Sequence, residues 1–383
     1  MLAQSPVAGD ARVLREAVTL RDVGHAVTVI GRAVPPGGSL PDGVQVLDAG
    51  RSGGLGSSDA RSAGSRAGVT ALAGRAARWM LLPEHRNRVE TSWRASAARL
   101  VEGLDADVVH AHDRNTLALG DRLSRERSIP LVYDAHELWS HRGLPGRPTP
   151  LGTRRATAAE TRGARHASLV LTVSEGIADV LRSRGVHTVA VVRNTFPARE
   201  APRRRSDAPR PSRPGLVYAG RIGAGRDVGT LAAVSALGEQ VMLVGPVDPY
   251  YASRLRLPPG VEVESSMPVD DLDDLYRRRG IAAVTLSDGC LNHRLALPNK
   301  LFHAVRAGVP VVAADLPEIG RLVREHDLGE LYRPGDAAAM VAATERVRAR
   351  YDELLVAVAV ARSSLSWEVD AAVLLDGYSR LTG

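Results

Sequence analysis

The sequence predicts an α/β protein built from two parallel-sheet domains. Three observations lead there. Its 383 residues exceed one typical domain and suffice for two separate cores. Short apolar strands alternate with helical patterns in two successive series. Between the series lies PAREAPRRRSDAPRPSRP (197–214), where proline and arginine are too dense for a core, and this stretch reads as a linker. In such sheets ligands sit beyond the carboxyl ends of the strands, so two of them facing each other are expected to frame a central cleft.

The first series opens with a helix over Asp10 to Asp22, where Val13, Ala17 and Leu20 recur at helical spacing. Gly24 stops it, and AVTVI (26–30) reads as a strand. Residues 51–76 are rich in Gly, Ser and Ala and read as a loop or weakly specified helix. ADVVHAHD (106–113) and PLVYDAHELW (130–139) are buried strands ending in polar residues. SLVLTVS (168–174) is another, with Ser174 placed to cap a helix starting at Glu175, and TVAVVRN (188–194) closes the series. After the linker come LVYAG (216–220), QVMLVG (240–245), VEVESS (261–266), IAAVTLS (281–287) and VPVVAAD (309–315). The expected domains are 1–196, 215–362 and a final helical segment, 363–383, that crosses back to the first domain.

Composition narrows the class. Hydrophobic content of 44% fits a globular protein. Cys290 is the single cysteine, so no internal disulfide forms, and a reducing, cytoplasmic setting is expected. The start does not read as a secretory signal, and no apolar run approaches the roughly 18 residues of a membrane span. The formal charge is +7, and 49 of the 50 basic residues are arginine (50 minus Lys300). That charge would suit phosphates, anionic lipid or nucleic acid. Aromatic content is only 4% and no RNA-stacking motif occurs, so nucleic acid is not the expected partner.

The polar residues gather at strand ends. Strand 216–220 runs into RIGAGRD, where Gly220, Gly223 and Gly225 let backbone amides approach a ligand and Arg221 and Arg226 supply guanidiniums just before a helix. PNK (298–300) repeats the arrangement, with Pro298 suited to a first helical turn and Asn299 and Lys300 at its positive end. Several cations at two helix starts suit a diphosphate. In the first half, His110, His112 and Asp113 end one strand, and Asp134, His136 and Glu137 end the next. His-x-His with carboxylates can hold zinc, but the groups lie on separate strands with no obvious fourth ligand, so no metal is expected. A G-x-S-x-G elbow and a G-x-x-x-x-G-K-[ST] loop are both absent from the sequence.

GDARVLREA, VHAHD, VYDAHELW, LTVSEGIADVL, VVRN, YAGRIGAGRDVGTL and ALPNKLF…AGVPVVAADLPEI follow one another in an order that resembles the family 4 glycosyltransferases of the GT-B fold. The resemblance covers nearly the whole chain. It implies two Rossmann-like domains and a nucleotide-diphosphate sugar donor held mainly by the second. It also implies transfer with retention of anomeric configuration, and no cofactor or metal. The acceptor, a glycan, a lipid or a small molecule, would lie mainly against the first domain. By position, Arg221 matches the arginine of the family's G-R turn and Arg226 stands where a lysine is usual, a change of geometry at constant charge. Asn299, Lys300 and Leu301 match the loop around the phosphates and sugar, and Gly9 and Asp10 match a first-domain loop near the donor. His136, matching the D-x-H-E strand end, would stand near the transferred sugar, with His112, Asp113, Asp134 and Glu137 on the acceptor side. Catalytic roles fall on His136, Arg221 and Lys300.

The sequence departs from the family twice. Of the family's two glutamates, E-x7-E, the first falls on Leu295 and the second, a ribose contact, on His303. A neutral His303 can accept one hydrogen bond but not two in bidentate fashion. Asp288, Asn292 and His293 are the alternative polar groups for the sugar. Only MLAQSPVA precedes Gly9, so the first strand is expected to be clipped, or its true start to lie upstream. The alternatives are a GT-B sugar-nucleotide epimerase and a homologue with impaired donor binding. Acceptor contacts are expected between Arg51 and Arg88, where Trp79 and His85 among arginines would suit a peripheral contact with the inner membrane face.

Overall fold

The computed structural model describes residues 1–32, 40–50, 88–143, 150–198, 211–252 and 256–382. The expected loop over 51–76 and most of the expected acceptor region lie outside them, as does the larger part of the 197–214 linker.

Two parallel sheets carry the fold. The first has β1 (Leu2–Pro6), β2 (Val27–Arg32), β3 (Val44–Asp48), β4 (Val109–His112), β5 (Leu131–Ala135), β6 (Leu169–Thr172) and β7 (Val189–Val191), in the order β3-β2-β1-β4-β5-β6-β7. The second has β8 (Gly215–Ala219), β9 (Val241–Val244), β10 (Val261–Glu264), β11 (Gly280–Val284), β12 (Val311–Ala314) and β13 (Gly329–Tyr332), in the order β10-β9-β8-β11-β12-β13. The strand order reverses between β1 and β4 in one sheet and between β8 and β11 in the other. In open α/β sheets that is where ligand crevices form.

The first unit comprises Met1–Thr172, Ala178–Val191 and Val373–Gly383. Its helices are α1 (Ala11–Asp22), α2 (Arg88–Glu102), α3 (Asp113–Arg127), α4 (Pro150–His166) and most of α5 (Glu175–Ser183). Trp93, Leu131, Tyr133, Leu138 and Leu171 fill the core around the sheet. The strand expected to be clipped is central. Leu2 pairs with Ile30 on β2 and with Ala111 on β4.

The second unit comprises Val173–Ile177 and Val192–Ala372. Its helices are α6 (Val228–Ala236), the short α7 (Pro249–Ala252), α8 (Val269–Arg279), α9 (Leu291–Leu295), α10 (Asn299–Ala307), α11 (Pro317–His326), α12 (Ala337–Ala349) and α13 (Tyr351–Ala361). The β-branched and alanine-rich strands β8, β11 and β12 are buried on both faces, as strands covered by helices must be. The unit boundary runs through the last helix, α14 (Trp367–Thr382). Its first turn supplies Asp370, which accepts hydrogen bonds from the Arg193 amide (3.1 Å), Arg193 Nε (3.0 Å) and Thr195 Oγ1 (2.5 Å). Among the described residues, no helix is long and apolar enough to cross a membrane.

Candidate active site

In the first unit the strand-end groups form one buried network with two residues of α1. Arg12 and Glu16 stand four apart on the helix face that also buries Val13, Ala17 and Leu20. Arg12 clamps Asp134 in bidentate fashion, Nε to Oδ2 at 2.6 Å and Nη2 to Oδ1 at 2.7 Å, and Nε also lies 3.0 Å from Glu16 Oε1. The register pairs His112 with Asp134 across β4 and β5, and His112 Nδ1 sits 3.0 Å from Asp134 Oδ2. His110 Nδ1 meets the Tyr378 hydroxyl at 2.8 Å, and its ring stacks on His112 at 4.2 Å between centroids. His110 Nε2 faces Glu16 Oε2 at 3.5 Å.

Charge is distributed unevenly through this network. Burial alone would raise the Asp134 carboxyl, but Arg12 and hydrogen bonds from His112 and His136 hold it well below the usual carboxylate range. Burial outweighs Arg12 at Glu16 and lifts that carboxyl to about 7. Burial and neighbouring His112 push His110 well below the ordinary histidine value. His136 goes the other way. Burial works against its charge, yet Asp113 at 3.4 Å and Asp134 at 3.6 Å raise it to about 10, so it carries an imidazolium at neutral pH. Asp113 opens α3 in a left-handed conformation, φ 66°, and its carboxyl is raised by burial.

Glu16 supplies the fourth group that the sequence reading lacked. Its ligand atom and those of His110, His112 and Asp134 lie within 4.8 Å of one another. Arg12 already occupies the space between the two carboxylates, so the cluster holds its own compensating cation. Glu137 stands apart, 2.9 Å from Arg142. Asp10 caps α1 by accepting from the Val13 amide at 3.2 Å and also accepts from Ser5 Oγ at 2.6 Å, while Gly9 is exposed beside it.

In the second unit the turn after β8 is stitched to the end of β11. Thr285 Oγ1 donates to the Arg226 carbonyl (2.6 Å), and the Ser287 amide donates to the Gly225 carbonyl (3.0 Å). Gly225 has φ +78°, and a Cβ there would lie 2.8 Å from the His293 ring, so only glycine suits this turn. Tyr218 donates to the Arg221 carbonyl at 2.7 Å. Lys300 lies 3.9 Å above the Tyr218 ring centroid and donates to the Thr285 carbonyl at 3.1 Å. Burial and then Arg226 depress the Lys300 ammonium well below its ordinary value. Arg221 is exposed and Arg226 half-buried, and among the described residues neither guanidinium meets a carboxylate. Asn299 is exposed at the start of α10 and accepts from Asn194 Nδ2 at 2.7 Å. Gly220 is exposed at the head of the turn.

Two expected contacts, Leu301 and His303, have their side chains turned to the interior. Leu301 is fully buried in the core, and its amide bonds the Pro298 carbonyl at 2.9 Å. His303 is turned inward, with Nε2 3.1 Å from Asp273 Oδ1 and its ring 4.9 Å from Phe196. The carbonyl of Leu295 accepts from Ser174 Oγ at 2.6 Å. Of the alternative polar groups, Asp288 pairs loosely with Arg294 (3.6 Å), Asn292 is buried, and His293 Nδ1 lies 3.1 Å from the Ser287 carbonyl. The sequence reading missed Arg12, Glu16 and Tyr378. The available signal was two charged residues at i, i+4 on an otherwise apolar helix face. It also missed Glu318, which accepts from the Gly176 amide at 3.0 Å at the start of α5.

Residues 11–198 match the family model described as Glycosyltransferase Family 4, and residues 213–349 match that described as Glycosyl transferases group 1. No curated protein gives a significant match. Among solved structures, a sucrose-phosphate synthase from Thermosynechococcus elongatus superposes with a TM-score of 0.72 at 16% identity, covering 100% of this chain and 98% of that one. HepE of Anabaena, solved in complex with UDP-glucose, gives 0.68 at 16% identity and 99% coverage of each chain. A trehalose-6-phosphate synthase, studied for glycosyl transfer with retention, gives 0.66 at 10% identity, covering 99% of this chain and 98% of that one. At these identities the structural likeness speaks for the fold.

Proposed function

The chain belongs to the family 4 glycosyltransferases, and on that premise we propose that it moves a sugar from a nucleotide-diphosphate donor to an acceptor hydroxyl with retention of configuration. One observation carries the reading. Arg221, Arg226 and Lys300 stand at the carboxyl ends of β8 and β11, and among the described residues none of them meets a carboxylate. Basic groups held near one another without a carboxylate call for an anion, and a diphosphate has the charge and reach to bridge them. The UDP-glucose in HepE and the retention named for the trehalose-6-phosphate synthase support the same reading.

In the proposed reaction the diphosphate lies against Arg221, Arg226 and Lys300, with the amides at the start of α10 around Asn299. Negative charge grows on the leaving phosphate as the glycosidic C–O bond breaks. Cations already in place stabilise that charge more in the transition state than in the ground state. The acceptor oxygen attacks the face that the phosphate leaves, and the acceptor proton passes to a phosphate oxygen. His136, held as an imidazolium between Asp113 and Asp134, orients the sugar by its positive charge. These cations take the role a divalent metal has in other transferases, so no metal or cofactor is required. The acceptor is a glycan, a lipid or a small molecule, met in the cytoplasm or at the inner membrane face.

Calorimetry with UDP, GDP, ADP and dTDP tests this. One nucleotide should bind at micromolar concentration and lose that affinity in Arg221→Ala, with turnover falling roughly a hundredfold. Binding of none, or an unaffected Arg221→Ala variant, would remove the proposed donor site. Incubating the donor without acceptor separates transfer from epimerisation.

A further inference from the structure

A groove of about 620 Å³ opens on the first unit between α4, the 3-10 turn at Trp139–His141 and Arg184. Four arginines line it, Arg154, Arg162 and Arg165 from α4 and Arg184 from the chain beyond α5, with His141 and His166. Part of this wall lacks its own counter-charge among the described residues. Arg154 and Arg162 meet no carboxylate among the described residues. Glu160 beneath the groove lies 3.6 Å from Arg184 Nη1, but it is fully buried and already accepts from the Trp139 amide (3.2 Å) and the Ser140 amide (3.3 Å). Asp121 pairs at one edge, 3.2 Å from His166.

The groove is also built rather than merely basic. Arg184 has only 15% of its side chain exposed and is fixed by Ser140 Oγ and His141 Nδ1, each at 3.3 Å. Arg165 Nε donates to the Arg184 carbonyl at 2.7 Å, which ties the two sides together. Thr161 belongs to the same wall, and its buried hydroxyl oxygen has no hydrogen-bond partner among the described residues. A buried polar atom without a partner is uncommon and calls for one.

We propose that this groove is a second anion site, separate from the donor site, that takes a phosphate group between Arg154, Arg162, Arg184 and the Thr161 hydroxyl. Guanidiniums suit this ligand because their forked donors match phosphate oxygens in pairs. The phosphate can come from a soluble phosphorylated compound or from a lipid headgroup.

The test uses the full chain carrying Arg221→Ala, so that the donor clamp does not contribute. Glycerol phosphate is titrated by calorimetry, and vesicles of phosphatidylglycerol in phosphatidylcholine are compared with phosphatidylcholine alone by sedimentation. The same measurements are made after adding Arg154→Glu and Arg162→Glu, both on the exposed side of α4, and separately Thr161→Val. Binding should weaken about tenfold or more in the double charge reversal and by a smaller factor in Thr161→Val. Binding of glycerol phosphate without vesicle affinity assigns a soluble ligand, and vesicle affinity without glycerol phosphate binding assigns a lipid. Absence of both, or affinities that the substitutions leave unchanged, would overturn the site. Nucleotide titration of Arg154→Glu/Arg162→Glu with Arg221 intact reports on the donor site alone, so the two proposals fail independently.

Discussion

A glutamate at position 303 would face the Asp273 carboxylate at about the place where His303 Nε2 now stands, 3.1 Å away. The neighbouring Arg306, 3.4 Å from the other Asp273 oxygen, balances that buried acid, and the His303 ring adds no negative charge beside it. Restoring the family's glutamate should therefore destabilise the second unit by about 3 kcal/mol through an uncompensated buried charge. Adding Asp273→Asn should return most of that loss, and urea midpoints of the three proteins decide it. Lys300 offers a second residue-scale expectation. Its ammonium is depressed by burial and Arg226, so a bound diphosphate should draw a proton onto it. The binding heat should then vary with buffer ionisation enthalpy, and Lys300→Arg should remove that variation. Equal heats in all buffers would speak against the contact. Glu16 gives a pH dependence. Its folded value of about 7 lies above the unfolded value of about 4.3, so folding takes up a proton between them. Its stability cost is absent below about pH 4 and complete above about pH 7. Glu16→Gln should thus gain on the wild type as pH rises through that window, read as the difference in urea midpoints.

At the scale of the element, α10 explains how one segment can carry both a core and the proposed donor contacts. Its nine residues start at Asn299, exposed, and continue through Leu301, Phe302, Ala304 and Val305, all buried. The first turn can present Lys300 to the β8 turn only because the rest of the helix is anchored. Leu301→Ala should cost about 2–5 kcal/mol by leaving a cavity. Nucleotide affinity of the folded protein should stay near normal, because the side chain faces the core. A large loss of affinity at unchanged stability would return Leu301 to the list of ligand contacts. The turn itself depends on Gly225, whose positive φ and contact with His293 leave no room for a side chain.

Across the whole molecule, chain order and unit membership differ. Residues 373–383 belong to the first unit, where Tyr378 bonds His110 and Leu374 is fully buried. Ending the chain after Ala372 should loosen the first unit, with amide exchange accelerating in β4 and β5 while β11 and β12 keep their protection. Uniform exchange in both sheets would show that the two units share one unfolding transition.

Much of this was legible in the sequence because the signals are local. Strand runs such as VHAH and VVAA are short, apolar and bounded by turn residues, and β4, β5, β6, β8, β9, β11 and β12 lie where those runs fall. Two of the four edge strands, β3 and β13, are not legible because VQVLD and GELY mix polar residues into few positions. The glycine turn and the proline-led helix showed where cations would gather, since backbone freedom and helix starts are properties of a few adjacent residues. The direction of each side chain was not legible. Only packing could turn His303 toward Asp273, sink Leu301 into the core, or bring Arg12 within 2.6 Å of Asp134 across 122 residues. The sequence by itself determined the two-sheet fold and which polar residues end its strands. The tertiary structure decided which charges are balanced, because burial and distance set that balance and neither is a property of neighbours in the chain.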